Sequence, residues 1–193
     1  MFDLDGVLID SFEAWYALVR DGALRWGFPD VAREAFRAVF GQDTRADVDA
    51  FYPSRTVAEV DAFFAERFGD HIDLVVAIPD AAAILGEVGA RGLSRFVVTN
   101  TVRPLARDLL VRLELIGSLD GFVAAGDAPR AKPHPDLVQL ALRRAQAGPQ
   151  EAILVGDSIY DRDAARAAGV RFVGLGIDGD ERIERLRELL DLL

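Results

Sequence analysis

Asp3 and Asp5, separated by Leu4 and followed by Gly6, place two carboxylates one residue apart near the start of the chain. In extended backbone, positions i and i+2 point to the same side, so the two can face one site. Paired carboxylates at one point are the raw material of proton transfer or of binding a hard cation. The letters Asp-x-Asp-Gly alone carry little weight, because turns use them as well. Three later segments give them weight: Val97-Val98-Thr99-Asn100-Thr101, Ala131-Lys132-Pro133-His134-Pro135-Asp136, and Val155-Gly156-Asp157-Ser158-Ile159-Tyr160-Asp161.

Composition singles out two of these segments. Lysine and arginine total 22, yet Lys132 is the only lysine, and Asn100 is the only asparagine. Arginine does not readily replace a compact ammonium on a flexible stem. A sequence that otherwise avoids lysine and asparagine thus keeps one copy of each in a candidate site segment.

The elements that must position these residues follow from the apolar pattern. From about residue 80 onward, short apolar runs alternate with helical ones. Strands are expected at Arg95–Val98, Phe122–Ala125, Ala152–Val155 and Arg171–Leu175. Helices are expected over Arg103–Leu115, Pro135–Ala147 and 161–168, with a last one from about Gly179. Pro104 suits a first helical turn. Such alternation implies right-handed crossovers and a parallel sheet, whose ligands sit at the carboxyl ends of strands. Asp3, Thr99 and Asp157 are expected at such ends. Only Met1 and Phe2 precede Asp3, whereas strands usually run to about 5–6 residues. Several apolar residues added ahead of Phe2 are therefore expected to raise stability.

Residues 11 to 79 read differently. Ser11–Trp26, Asp30–Phe40 and Ser54–Phe68 carry helical periodicity with almost no strand signal. Their dense aromatics, among them Trp15, Trp26, Phe36, Phe63 and Phe64, are expected mostly as the core of a small helical bundle. The division is then 1–10 with 80–193 as an α/β core, and 11–79 as a helical insertion.

Other classes are disfavoured. The net charge of −10 argues against a nucleic-acid surface. With no cysteine there is no disulfide framework and no thiolate chemistry. No stretch approaches the roughly 18 apolar residues of a membrane helix, and no secretory signal is legible. A cytoplasmic protein, as monomer or homodimer, is the expectation.

Taken in order, the four motifs resemble the haloacid dehalogenase superfamily, in its subfamily with a helical cap after the first strand. The resemblance implies a Rossmann-like parallel sheet core with a mobile cap domain. It also implies Mg²⁺-dependent phosphoryl transfer through an aspartyl-phosphate. On it, Asp3 is the nucleophile and Asp5 the general acid and base. Gly6, Thr99 and Asn100 contact the phosphate, and Lys132 offsets charge on nucleophile and phosphoryl. Asp157 holds Mg²⁺ together with Asp3 and the Asp5 carbonyl, and Asp161 assists directly or through water. Asp163 reads as a helix first-turn charge, and His134 and His71 carry no assigned role. Within the superfamily, a dehalogenase lacks the second acidic residue. A phosphonoacetaldehyde hydrolase needs a cap lysine, which this chain does not have. A β-phosphoglucomutase-like sugar phosphomutase carries a cap histidine where this chain has Trp15. The nearest resemblance is to the phosphoglycolate phosphatase-like group, acting on a small phosphorylated metabolite. The segment Gly41-Gln42-Asp43-Thr44-Arg45 then corresponds to a substrate-reading loop, with Arg45 suited to gripping a carboxylate or second phosphate. The alternatives are a sugar phosphomutase and a non-catalytic phospho-ligand-binding protein on the same fold.

Overall fold

A computed structural model describes all 193 residues, and its contacts divide the chain into two units. The first comprises Met1–Ile9 and Ala77–Leu193, the second Asp10–Val76. Two-residue strands, β1 (Ile9–Asp10) and β2 (Val76–Ala77), fall at the two crossings.

The first unit is built on a parallel sheet. Its strands are β3 (Phe96–Val102), β4 (Gly121–Ala125), β5 (Ile153–Gly156), β6 (Arg171–Leu175) and β7 (Glu181–Ile183). The extended segment Met1–Asp3 lies between β3 and β5, with Phe2 bridged in parallel to Val97 on one side and Val155 on the other. Phe2 donates to Phe96 O at 2.8 Å, and Asp3 donates to Val155 O at 2.9 Å. The spatial order is therefore β4–β3–(Met1–Asp3)–β5–β6–β7, all parallel. The chain runs outward from the middle, first to one edge and then to the other. That places Asp3 at the topological switch point, where open parallel sheets bind ligands.

Helices follow the strands as crossovers: α5 (Ala81–Ala90), α6 (Arg103–Arg112), α7 (Asp136–Ala145) and α8 (Ile159–Ala168). One face of the sheet is sealed by α7 and α8. There Val98, Val123, Leu154 and Phe172 pack with Leu137, Val138, Ala141 and Ala164. Successive strand residues alternate faces, so Val97, also fully buried, lies on the opposite side from Val98. A strand buried on both faces reads as an unbroken apolar run, which is why Phe96–Val98 was legible.

The last helix expected from the sequence is not there. Residues after Gly179 form the edge strand β7, and then a 3-10 turn over Leu186–Asp191. The register is fixed locally: the Asp180 carboxylate accepts from Phe172 N at 2.8 Å, and Gly176 N donates to Ile183 O at 2.8 Å. The apolar residues of this tail, Leu186, Leu189 and Leu190, are buried, and the tail packs against α5.

The second unit is helical: α1 (Phe12–Trp26), α2 (Arg33–Val39), α3 (Thr44–Phe51) and α4 (Val57–Arg67), followed by a 3-10 segment, Phe68–Leu74. Helix α4 starts at a reciprocal cap, Thr56 with Glu59. Aromatic rings fill the interior, with Trp15 against Phe64 and Phe68, and Trp26 against Tyr52 and Phe63. Tyr52 is fully buried, and its hydroxyl donates to Val19 O at 2.5 Å. Helix α3 is a correction to the sequence reading, which left Gly41–Arg45 as a loop. Asp43 caps it by accepting from Arg45 N at 3.1 Å, so Arg45 stands in a first helical turn. Val48 is the only apolar side chain that this helix buries, so there is no apolar period to read.

One stability prediction follows from a raised acid. In the second unit, burial, with Asp43 and Asp61 nearby, pushes the Asp47 carboxyl up to about 8. A raised acid favours folding only while protonated, so its contribution is lost as pH rises from about 4 through about 8. Asp47→Asn should gain stability over the parent at pH 8.5 and little at pH 4, read from urea titrations at both.

Candidate active site

The switch point gathers the conspicuous residues of the sequence. Asp3 ends the central extended segment, 4% exposed. Just beyond it the chain turns sharply, with Leu8 N and Ile9 N both donating to Leu4 O at 3.0 Å. This turn keeps Asp5, also buried, at the same place.

Gly6 is required by geometry. Its φ is +82°, and a Cβ there would stand 1.9 Å from Asp157 Oδ2. The glycine thus lets the loop after Asp3 lie directly against the loop after β5. Its own N–H donates to Ile9 O at 2.8 Å. Gly156 does the same for Asp161, whose Cβ lies 2.4 Å from where a Gly156 side chain would begin.

Lys132 comes from the connection between β4 and α7 and is 2% exposed. Its ammonium donates to Val98 O at 2.9 Å and to Asp161 Oδ1 at 2.6 Å, and pairs with Asp3 Oδ1 at 2.7 Å. Three acceptors match its three protons. The backbone of Lys132 is clamped by Asn100: Lys132 N donates to Asn100 Oδ1 at 2.8 Å, and Asn100 Nδ2 donates to Lys132 O at 3.0 Å. Through its side-chain amide, Asn100 holds the lysine in place.

Asp161 is fully buried and both of its oxygens are engaged. Oδ1 accepts from Lys132, while Oδ2 accepts from Ser158 Oγ at 2.5 Å and from Ser158 N at 3.2 Å. Ser158 and Asp161 form the capping box that starts α8. The same carboxylate therefore begins a helix and anchors the lysine. Asp163, two residues on, pairs with Arg162.

The residue the sequence reading passed over is Thr101. Its hydroxyl donates to Asp5 Oδ2 at 2.8 Å, and its N–H donates to Thr99 Oγ1 at 3.0 Å. Thr99 Oγ1 lies 3.5 Å from the same oxygen of Asp5. The signal was present as Thr-x-Thr on a strand, two hydroxyls on one face. Arg45 belongs to the other unit, exposed on the first turn of α3.

The electrostatics are those of a crowded acidic centre. Burial, then Asp161, push the Asp3 carboxyl well above its ordinary range; Lys132 opposes this, and Asp157 and Asp5 add to it. Burial, then Asp161, raise Asp157 to about 7. Burial works against the Lys132 charge, but Asp161 and Asp3 outweigh it and hold the ammonium above its ordinary range. Asp3, Asp157 and Asp161 each offer an oxygen within 4.8 Å of the others. One ammonium does not balance four neighbouring carboxylates. An all-oxygen donor set with surplus negative charge fits a hard divalent cation.

Comparison with known proteins bears on this site. The family model of haloacid dehalogenase-like hydrolases matches residues 1–175. The phosphoglycolate phosphatase of Pseudomonas putida is 32% identical over 189 aligned positions, spanning 91% of this chain and 68% of that protein. Among solved structures, a subfamily IA hydrolase of the same superfamily from Geobacter sulfurreducens superposes with a TM-score of 0.82 at 28% identity. That match covers 100% of this chain and 97% of the other. A β-phosphoglucomutase from Clostridium difficile shares the fold, with a TM-score of 0.86 at 19% identity and coverage of 97% and 91%.

Removing the lysine tests the electrostatic picture directly. Lys132→Met leaves Asp3 and Asp161 buried without their cation. Breaking a buried pair in this way costs about 3–5 kcal/mol. The loss should appear in urea unfolding at neutral pH, and Lys132→Arg should recover little of it, because a planar fork does not replace a point charge.

Proposed function

The chain belongs to the haloacid dehalogenase-like hydrolases, and from that membership we propose that it is a Mg²⁺-dependent phosphatase of small phosphomonoesters, working through an aspartyl-phosphate. Phosphoglycolate is the first substrate to try, given the relative that bears that name. The observation that carries the proposal is the set of Asp3, Asp5 and Lys132, all buried, with the half-buried Asp157 beside them at the switch point of the sheet.

In this reading Asp3 attacks phosphorus. The bond from phosphorus to the ester oxygen breaks as the bond to the Asp3 carboxylate forms. Asp5 gives its proton to the departing alkoxide. Water then attacks the acyl phosphate, Asp5 takes its proton, and Asp3 is released with inorganic phosphate. Splitting the reaction lets one carboxylate act as nucleophile and the other as acid and then base. Lys132, fixed by Asn100 and Asp161, keeps a positive charge beside the attacking oxygen.

Asp3, Asp157 and the carbonyl of Asp5 would hold the Mg²⁺, with Asp161 behind them because its oxygens already accept from Lys132 and Ser158. When bound, the cation would neutralise charge on the phosphoryl oxygens and on the carboxylates. It would also oppose the burial that raises the Asp3 carboxyl above its ordinary range, favouring the ionised nucleophile.

The helical unit takes the part of the cap, with Arg45 available to a substrate carboxylate. Trp15 weighs against a mutase. It packs on Phe64 and Phe68, and its indole is a donor only, unable to act as base where those enzymes place a histidine.

The experiment is phosphate release from a panel of phosphomonoesters, phosphoglycolate included, with Mg²⁺ or EDTA, for the parent and Asp3→Asn. Release is expected with Mg²⁺ alone, and a loss of at least about a thousandfold in Asp3→Asn. Mg²⁺ should also raise the melting temperature of the parent, which reports the metal site without turnover. A folded parent that releases phosphate from no ester sinks the proposal.

A further inference from the structure

Asp5 needs more than a position. A carboxyl that gives a proton in one step and takes one in the next must present the same oxygen to the reacting centre both times. Rotation about its terminal torsion is broad and roughly two-fold, so nothing within the side chain fixes it. Something outside must.

Thr101 has the geometry for that task. Its hydroxyl donates to Asp5 Oδ2 at 2.8 Å, a far better contact than the 3.5 Å from Thr99. Its backbone N–H is tied to Thr99 Oγ1, and the residue is 7% exposed. A β-branched side chain in a strand has few rotamers, so the hydroxyl is aimed by the sheet itself. The chain from β3 to Thr101 to Asp5 is short and buried throughout.

Resting on the phosphatase reading above, we infer that Thr101 is a positioning residue for Asp5, fixing the rotation of the carboxyl that protonates the leaving group. It contributes no proton. In the first step the proton on Asp5 passes to the ester oxygen as that oxygen leaves phosphorus, and Thr101 keeps its own. In the second step the proton from water passes to Asp5 as the bond between phosphorus and Asp3 breaks, and the hydroxyl again only holds.

The test uses leaving groups. An alkyl ester such as phosphoglycolate must receive a proton to depart, whereas p-nitrophenyl phosphate departs as a stable anion without one. kcat/KM on each ester reports the step in which Asp3 is phosphorylated. Thr101→Val keeps the shape and removes the hydroxyl. It should lower kcat/KM on the alkyl ester by about 30–100-fold, within the span of general acid catalysis, and on p-nitrophenyl phosphate by only a few-fold. Thr101→Ser should restore most of the alkyl activity. Equal losses on both esters would mean that Thr101 matters only for structure. No loss on either would mean that the contact is idle. If Thr101→Val does not fold, Thr101→Ala is judged by the same ratio. A parent that hydrolyses neither ester removes the phosphatase reading, and this inference with it. A parent that hydrolyses both, with a Thr101→Val ratio unchanged, removes this inference alone.

Discussion

Everything at the switch point depends on one buried ammonium. Lys132 Nζ sits within 2.9 Å of three oxygens, from Val98, Asp161 and Asp3. Without it, carboxylates from the start of the chain and from the loop after β5 would share a dry space with nothing to hold them apart or together. Buried charge of one sign is far too costly to persist, and such groups neutralise themselves by taking protons. With the ammonium there, two of the four carboxylates are directly satisfied. Of the other two, Asp5 accepts from Thr101 instead, and Asp157 stands half-buried beside the Gly6 turn.

The surrounding structure reads as a means of holding that charge still. Asn100 grips the lysine backbone from β3, Ser158 grips Asp161 at the start of α8, and the missing side chains of Gly6 and Gly156 let both loops close in. These devices come from three separate segments, and all emerge at the carboxyl ends of adjacent parallel strands. The parallel sheet therefore solves a positioning problem: residues as far apart in sequence as Asp3 and Asp161 meet because their strands are neighbours. The buried apolar face under α7 and α8 makes the frame stiff.

The sequence disclosed the frame where burial left a simple mark. The runs around Val97, Val123, Leu154 and Phe172 are apolar because both faces of their strands are covered. It failed where burial is sparse. Of its apolar side chains helix α3 buries only Val48, and its remaining pattern is indistinguishable from a polar loop. The tail after Gly179 has helical spacing of leucines, yet backbone pairing with β6 and the Asp180 contact to Phe172 take the chain into a strand first. Local periodicity cannot register a competitor ten residues away.

The site was legible in residue type but not in partnership. Asp3, Lys132 and Asp161 could be picked out as rare or repeated letters, while their joint contact depends on three loops at once. Asn100 shows the difference. A lone asparagine at the end of an apolar run invites a role toward ligand, and only the fold shows its amide facing the backbone of the residue that carries the charge. Thr101 shows the converse: an unremarked hydroxyl becomes the nearer donor to Asp5 because strand alternation puts it on the same face as Thr99. Residues that act through another residue leave no chemical signature of their own in a sequence. They appear only once the groups they hold have been placed, which is why the supporting hydrogen bonds here outnumber the groups that could touch a substrate.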